Sequence, residues 1–283
     1  MDRSRGIPRV SVLTPNLNKA GFIGRCIESV ATQEGLAEHW VIDGGSTDGS
    51  VEILRRSEAS HPCLRWISEP DGGQADAINK ALALSSSDII GWLNSDDYYY
   101  PGALEEALRQ FDVHPSASVI YGNVHLVDLH GEVIREFEHI EDFNQMRLVR
   151  VGNFIPQPAA FMRREAVEAI GGLNSELHWT MDWDLWLRLS GVGEVIRVPG
   201  VLACSREYSH TKTATGGTRR YLEVVRLLRR NGAPWAAPAY RRYLYGWLLA
   251  EIMRRLPARV GRRIRAARTA SLARTVSSPP SHV

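Results

Sequence analysis

The residues best suited to carry chemistry are two adjacent aspartates, Asp96 and Asp97, which follow the apolar run 89–93. A buried strand that ends on neighbouring carboxylates presents hard oxygen ligands at a rigid position. Such oxygens, with water and phosphate, are the ligands that Mg²⁺ and Mn²⁺ prefer. The pair therefore predicts a divalent-metal site. A second interpretation is a turn, since Asp-Asp before Pro101-Gly102 also suits the cap of a following helix.

Polar residues end the earlier apolar runs as well. At the first three ends stand Thr14, Pro15, Asn16, Asp43 and Asp71. Neighbouring carboxylates repel one another unless a cation or hydrogen-bond donors lie among them. Their joint placement favours one binding rim, although Asp43 alone also suits an Asx turn and Asp48 a helix N-cap.

A regular alternation of strand and helix patterns must position these residues. Short β-branched runs alternate with segments whose apolar residues recur at helical spacing. We expect strands over 9–15, 39–42, 64–68 and 89–93, and helices over 20–33, 50–58, 76–84 and 102–111. Pro15 is expected to end the first strand. The alternation predicts an α/β fold with a mainly parallel sheet between helices, and such sheets bind ligands beyond the carboxyl ends of their strands.

The composition limits the compartment more than the function. The 283 residues carry a net charge of +2, and 44% are hydrophobic, as in a large globular domain with an extension. The three cysteines are scattered without CxxC spacing, which disfavours a disulfide scaffold or a zinc site and fits a reducing compartment. The N-terminus lacks the apolar core of a signal peptide, and no run is long enough to span a membrane. We therefore predict a cytoplasmic protein.

Charge is distributed unevenly along the chain. Residues 231–283 contain ten Arg, no Lys and one acid, Glu251, whereas the preceding residues are net acidic. We expect a main domain over 1–230, a basic amphipathic helical extension over 231–274 and a disordered tail over 275–283. Residues 240–268 suit a helix on the anionic inner face of the cell membrane, or alternatively a helix packed on the domain. The acidic main domain disfavours nucleic acid as a partner.

Five segments, in order, resemble family 2 glycosyltransferases of the GT-A fold. They are VSVLTPNLNKAGFIGRCIESVATQ, VIDGGSTDGS, SEPDGGQADAINKAL, GWLNSDDYYYPGAL and GGLNSELHWTMDWDLWLRLS. The resemblance implies a GT-A domain with a nucleotide-binding half, about 8–111, and an acceptor half, about 112–230. It implies inverting, metal-dependent transfer of a sugar from a nucleotide diphosphate donor, UDP- or dTDP-linked, to a hydroxyl of a glycan or lipid-linked acceptor in cell-surface polysaccharide synthesis. Neither GxGxxG after the first strand nor GxxxxGK[ST] is present, which disfavours other nucleotide folds.

The resemblance also implies which residues bind the nucleotide. The matching positions are Thr14, Pro15, Asn16, Asp43, Asp71 and Asn79. Asp43 matches an aspartate that accepts a hydrogen bond from uracil, and a carboxylate is a good acceptor for an imide N–H. Asp71 matches a contact to the base or ribose. Asn79 matches a helix residue that faces the site, although an Asn within a helix is often structural.

A cation, Mn²⁺ or Mg²⁺, is implied at the aspartate pair. Asp97 matches the main metal ligand, and Asp96 matches the acid beside the ribose or a metal-bound water. Asn94 replaces the first acid of the longer motif, which is a departure from the family. The cation would neutralise the diphosphate as the nucleotide leaves.

The segment CSREYSHTKT resembles a loop that folds over the nucleotide in relatives. Within it, His210 is implied as a further metal ligand. Lys212, and less strongly Arg206, are implied as contacts to the diphosphate. A lid of this kind would exclude water and limit hydrolysis of the donor.

An acceptor face with a catalytic base is implied by the second half of the chain. Asp182 matches the base that takes the acceptor's hydroxyl proton, where most members have Glu-Asp and this chain has Met-Asp. The helix dipole alone also explains acids such as Asp182 and Asp184 at a helix start. Gln157, Trp179 and Trp183 match acceptor-side positions, with core packing as the alternative for the tryptophans.

Two other functions fit part of the pattern. A sugar nucleotidyltransferase also uses paired aspartates, but its first loop is rich in Gly with Arg or Lys, and TPNLNKAG offers only Lys19. A non-catalytic nucleotide-sugar-binding scaffold would bind nucleotide without turnover. Release of nucleotide diphosphate from a donor distinguishes a glycosyltransferase from both.

Overall fold

The computed structural model describes residues 9–208 and 211–255. Its strands, β1 to β9 in chain order, are Val10–Asn16, Leu36–Asp43, Leu64–Ser68, Ile89–Trp92, Tyr98–Tyr99, Ala117–Val127, Val133–Glu136, Ala160–Arg163 and Glu194–Arg206. Its helices, α1 to α10, are Ala20–Ala31, Ser50–Ser60, Gln74–Leu84, Ala103–Val113, Gln145–Val151, Arg164–Ala169, Met181–Leu189, Lys212–Thr215, Gly217–Arg230 and Pro238–Arg255. A short 3₁₀ turn, Gln157–Ala159, precedes β8.

One sheet crosses the described part of the chain in the order β3-β2-β1-β4-β8-β6-β9-β5, and β7 pairs with β6. Strands β3, β2, β1 and β4 are parallel to one another, and β6 is parallel to β9. Strands β8, β7 and β5 run antiparallel to theirs. The central strands are buried on both faces because helices cover both sides of the sheet. The prediction of a mainly parallel α/β fold is confirmed.

Strand β1 continues past the point at which the sequence predicts its end. Pro15 pairs with Ile42 of β2, and it lies beyond Leu13, the last β1 residue paired with β4. The missing N–H of Pro15 therefore removes no bond to β4. As a result, β1 and β2 end side by side, with Asn16 opposite Asp43.

Two apolar layers hold the helices on the sheet. Helices α1 and α4 contribute buried side chains to one layer, and α3, α7 and α9 contribute to the other. The second layer also includes Ala237 and Tyr240, at the start of α10. The first part of the basic extension is thus packed on the main domain. Residues 256–274 and the tail 275–283 lie outside the described residues. Between residues 9 and 255, leaving aside 209 and 210, no helix is long and apolar enough to cross a membrane.

Candidate active site

The ends of β1 and β2 form a buried carboxylate–amide pair. Asn16 Nδ2 donates to Asp43 Oδ1 over 2.6 Å, and Ser46 donates to Asp43 through both its hydroxyl and its backbone N–H. Ser68 Oγ donates to Asp43 Oδ2 over 2.6 Å. Burial alone would raise the pKa of Asp43, but the donors outweigh it and the pKa is lowered. Four donors thus occupy this 0% exposed carboxylate, and its predicted uracil contact stays a prediction.

The neighbouring amide differs from Asp43 in this respect. Asn16 Oδ1 is buried and has no hydrogen-bond partner among the described residues. Buried polar atoms are nearly always paired, so an unpaired acceptor at a strand end indicates a place for an external donor. Asn16 Oδ1 is therefore a second candidate acceptor for a base N–H, beside the predicted Asp43.

Two of the predicted nucleotide contacts are structural. Thr14 Oγ1 is buried and shares a 2.9 Å hydrogen bond with His39 Nε2. Asn79 holds the chain at Leu173 with both amide atoms, donating to its carbonyl and accepting its N–H, each over 2.8 Å. These bonds give both side chains a structural role, and their predicted nucleotide contacts stay predictions.

Asp71 and Pro15 are placed at the open rim. Both are partly exposed. Asp71 lies against Gly44, where an added Cβ would come within 3.0 Å of its carboxylate. Gly44 follows β2 directly, so the ends of β1, β2 and β3 converge at one place, as the parallel sheet requires.

Asp96 and Asp97 lie just beyond β4 in different surroundings. Asp97 is buried, and its Oδ1 accepts the N–H of Arg206 over 2.9 Å. Burial, with a smaller effect from Asp96, raises the pKa of Asp97 to about 8. Asp96 is more open, and its Oδ2 accepts from Lys19 Nζ over 3.0 Å and from the Tyr208 hydroxyl over 2.6 Å.

The donor set of this pair fits a divalent cation. Two adjacent carboxylates, one of them disfavoured as an anion in the cation's absence, gain from a nearby positive charge. Residues 9–208 and 211–255 contain no group of three or more His, Cys, Asp or Glu that could hold a metal ion. A cation on Asp96 and Asp97 would thus complete its shell with water and donor phosphate, as Mg²⁺ often does.

Arg206 holds the loop together instead of facing a diphosphate. Its buried guanidinium donates to the carbonyls of Asp96, Asp128 and Leu129 over 2.9 to 3.0 Å. This use of its donors corrects the prediction of a lid contact. His210 lies outside the described residues, so its predicted role as a metal ligand stays a prediction.

Asn94 is the centre of a side-chain network beneath the aspartate pair. Its Nδ2 donates to Gln157 Oε1 over 2.8 Å, and its Oδ1 accepts from Gln74 Nε2 over 2.6 Å and from Trp92 Nε1 over 3.0 Å. Gln157 also donates to the Trp92 carbonyl and is only 9% exposed. Its amide is therefore hydrogen-bonded within the site, and its predicted contact with the acceptor stays a prediction.

Lys212 connects this network to the predicted base. Its Nζ donates to Gln74 Oε1 over 2.9 Å. Burial lowers the pKa of Lys212 to about 8, against the opposing effects of Glu223 and Asp182. The lysine therefore lies within electrostatic range of Asp182 while it contacts the Asn94 network.

Asp182 is held at the first turn of α7. Its Oδ2 accepts from Asn153 Nδ2 over 2.9 Å. Burial raises the pKa of Asp182, and backbone hydrogen bonds together with the charges of Arg220 and Lys212 oppose that shift. A carboxylate with a raised pKa, oriented by an amide, is suited to accept a proton.

The two tryptophans differ in exposure. Trp183 is 2% exposed, and its ring centre lies 5.6 Å from that of Tyr243. This burial assigns Trp183 to the core and corrects its predicted acceptor role. Trp179 is partly exposed and packs edge-on to His178 at 4.6 Å. Its predicted contact with an acceptor sugar stays a prediction.

Glu223 is a residue that the sequence gives no reason to select, since it is one acid within the Arg-rich α9. Its buried carboxylate accepts the backbone N–H groups of His178, Trp179 and Thr180 and the hydroxyl of Thr180. This anchor fixes the turn from which α7 and Asp182 begin.

The fold and this arrangement define a glycosyltransferase of the GT-A class. The S. aureus TarS 1-349 structure in complex with UDP-GlcNAc is similar with a TM-score of 0.65 and 18% identity, over 86% of this chain and 72% of that chain. The mannosyltransferase PcManGT from Pyrobaculum calidifontis, in complex with GDP-Man and Mn²⁺, is similar with a TM-score of 0.62 and 20% identity, over 98% and 78%.

Sequence comparison places the chain within that class. The sequence profile of glycosyl transferase family 2 matches residues 11–171, and the chain belongs to this family. A chondroitin synthase of Pasteurella multocida (strain Pm70) is 30% identical over 189 residues, which are 66% of this chain but 19% of that protein. An uncharacterised glycosyltransferase of Mycobacterium tuberculosis (strain CDC 1551 / Oshkosh) is 30% identical over 247 residues, 84% of this chain and 87% of the relative. The predicted family, fold and enzyme class are confirmed.

Proposed function

We propose that this chain is an inverting glycosyltransferase that uses a nucleotide diphosphate sugar, UDP- or dTDP-linked, and a hydroxyl of a glycan or lipid-linked acceptor. The observation that carries the proposal is the chain of hydrogen bonds from Asp97 through Asn94 and Gln74 to Lys212, whose ammonium interacts electrostatically with Asp182. The relative that is a chondroitin synthase and the fold neighbour bound to UDP-GlcNAc support this donor class and a role in cell-surface polysaccharide synthesis.

The nucleotide would lie at the converging ends of the first three strands. Asn16 Oδ1 would accept an N–H of the base, and Asp43 would hold the Asn16 amide in place through its 2.6 Å bond. Asp71 and Pro15 would line the rim beside the base and ribose. A pyrimidine such as uracil or thymine offers the imide N–H that an amide oxygen accepts.

Asp96 and Asp97 would hold the cation, Mn²⁺ or Mg²⁺. When bound, it would supply positive charge to the diphosphate as the nucleotide leaves. Lys212, whose ammonium is partly buried beside Gln74, would add positive charge from the chain itself. Fixed charges in a site with little water stabilise a leaving anion far more than they would in bulk water.

Asp182 would act as the base on the acceptor face. Its raised pKa lets it take the hydroxyl proton as the acceptor oxygen attacks the anomeric carbon, and Asn153 orients it. A single displacement, with the leaving nucleotide on one side and the base on the other, inverts the anomeric configuration.

The basic extension, 231–274, would place this catalytic domain, 1–230, at an anionic membrane surface on the cytoplasmic side. Helix α10 begins in the core, but further along it exposes Leu244, Tyr245, Leu248 and Ile252. An apolar helix face beside clustered Arg is the combination that binds anionic lipid surfaces. This arrangement combines the two alternatives that the sequence leaves open, packing on the domain and docking on a membrane.

The experiment that tests the proposal is a panel of nucleotide sugars incubated with the full chain and Mn²⁺ or Mg²⁺. We expect release of nucleotide diphosphate from a UDP- or dTDP-sugar, and a loss of about a thousandfold in kcat for Asp182→Asn, since general-base catalysis contributes on that order. The exposed Asp112→Asn is the matched control and should leave kcat unchanged.

Two outcomes would contradict the proposal. Nucleotide binding without release from any donor would favour the scaffold. Release of pyrophosphate from a nucleoside triphosphate and a sugar phosphate would favour the nucleotidyltransferase.

A further inference from the structure

Lys19 and Tyr208 close over Asp96 from two separate segments. Lys19 lies in the turn between β1 and α1, and Tyr208 follows the end of β9. Lys19 Nζ donates to Asp96 Oδ2 over 3.0 Å, and the Tyr208 hydroxyl donates to the same oxygen over 2.6 Å. The ammonium and the phenol oxygen are also hydrogen-bonded to each other. We refer to Lys19, Tyr208 and Asp96 together as the clasp.

The clasp is a packed and charged contact. The Tyr208 ring lies 5.6 Å from the Phe22 ring and 5.0 Å from the Lys19 ammonium. The side chains of Lys19 and Asp96 are only 26% and 18% exposed. In this partly shielded position the ion pair is stronger than a pair on the open surface.

The clasp and a bound divalent cation compete for the same carboxylate. A cation that binds Asp96 approaches the oxygen that already holds the ammonium, and the two positive charges repel. The ammonium then needs a new anionic partner. A nucleoside diphosphate that arrives with the cation supplies one, because phosphate oxygens are strong acceptors for an ammonium.

We propose that Lys19 is a further donor-binding residue, whose ammonium neutralises Asp96 in the free enzyme and moves to the donor diphosphate when the cation binds. The cation and the nucleotide then favour each other's binding. The diphosphate draws the ammonium away from the cation, and the cation frees the ammonium from Asp96 for the diphosphate. This inference rests on the proposed function for the identity of the diphosphate. It does not depend on which sugar is transferred.

The test compares wild-type protein with Lys19→Met in two binding measurements, neither of which involves turnover. Without nucleotide, the signal of free Mn²⁺ in electron paramagnetic resonance should show about tenfold tighter Mn²⁺ binding to Lys19→Met, because the competing charge is gone. With Mn²⁺ at a concentration that saturates both proteins, calorimetry should show about tenfold weaker UDP binding to Lys19→Met, because a phosphate contact is lost. The mutual enhancement between Mn²⁺ and UDP should shrink accordingly.

Three variants control this test. Lys80→Met removes an exposed lysine that pairs with Glu69 over 2.6 Å, and it should change neither affinity. Lys19→Arg keeps the positive charge, and it should bind Mn²⁺ more weakly than Lys19→Met does, as the wild-type protein should. Tyr208→Phe keeps the ammonium but removes one donor to Asp96, and it provides a second perturbation of the clasp if Lys19→Met fails to fold.

Several results would overturn the inference. These are Mn²⁺ binding to Lys19→Met that is equal to or weaker than wild-type binding, an unchanged UDP affinity, or no Mn²⁺ binding by either protein. If Lys19→Met shows both affinity shifts but the wild-type chain releases nucleotide from no donor, the proposed function is refuted and the inference about Lys19 is retained. A chain that turns over a donor but shows neither shift would do the reverse.

Discussion

Asn94 stands where the longer family motif has an acid, and its amide makes two kinds of hydrogen bond at once. The Nδ2 group donates to Gln157 and, over 3.4 Å, to Asp97. The Oδ1 atom accepts from Gln74 and Trp92. An aspartate here could accept but not donate, and it would place another negative charge beside a carboxyl whose anion is already disfavoured. An Asn at position 94 therefore suits its neighbours, which include both hydrogen-bond donors and acceptors.

We predict that Asn94→Asp, which restores the acid of the longer motif, destabilises the metal-free protein by about 2 kcal/mol, because two buried donations are lost. Urea unfolding in the presence of a chelator measures the change. Asn174→Asp adds the same charge at a residue whose side-chain oxygen accepts the Glu176 N–H, so it loses no donation there and serves as the control. An Asn94→Asp protein as stable as wild type would contradict the role assigned to this network.

Residue types at strand ends are sufficient to predict where the site lies, but not which side chains are free to bind. Asp43 follows an apolar run, and that position could be predicted. The full set of its hydrogen-bond donors could not, because Asn16 and Ser68 come from other strands and only the fold brings them to Asp43. Asn79 and Gln157 illustrate the same limit, since each spends its amide on distant backbone groups.

At the scale of elements, helix α9 controls how α7 presents its acid. Glu223 lies on α9, and its carboxylate accepts the N–H groups of His178, Trp179 and Thr180 directly before α7. A carboxylate placed at several free N–H groups satisfies donors that a helix start leaves unpaired. Asp182 follows two residues after this anchor, so Glu223 fixes the position of the α7 start relative to α9.

We predict that Glu223→Gln lowers kcat about tenfold, since a small misplacement of a base affects the chemical step more than donor binding, and raises the KM for the donor by a smaller factor, because Lys212 loses a nearby negative charge. The new side-chain amide of Glu223→Gln would also place its NH₂ group against backbone N–H groups, which are themselves donors. Steady-state kinetics over a range of donor concentrations measures the effect, and urea unfolding measures the accompanying loss of stability. Glu28→Gln, at an exposed carboxylate beside His61, is the matched control. A rise in KM with unchanged kcat would refute the positioning role.

Elements with local patterns were more predictable than those with distant partners. The sequence predicts α1 and α4 to within two residues at each end, because their apolar residues recur at helical spacing. It does not predict β9, whose pairing with β6 joins segments far apart in the chain. Nor does it predict α9, whose many Arg residues mask a narrow apolar stripe.

At the scale of the whole molecule, charge and exposed apolar surface occur together at the C-terminal side. Residues 231–283 contain ten Arg and one acid, whereas the preceding residues are net acidic. Helix α10 leaves Leu244, Leu248 and Ile252 exposed at intervals of four residues. That spacing places them on one face of the helix, available to a surface outside the domain.

We predict that the full chain sediments with vesicles that contain anionic phosphatidylglycerol and not with neutral phosphatidylcholine vesicles, and that added salt weakens this binding. Replacing Leu244, Leu248 and Ile252 together by Ser should lower the bound fraction about tenfold, since it removes apolar area that would enter the lipid. A matched control replaces Leu129 and Val133 by Ser. Both are similarly exposed, before and at the start of β7, and this variant should bind vesicles as wild type does. Because α10 begins in the core, thermal unfolding must show that the triple variant remains folded. The membrane role would be refuted if the full chain bound neutral vesicles equally well. It would also be refuted if a folded triple variant showed an unchanged bound fraction, and the exposed face would then bind some other partner.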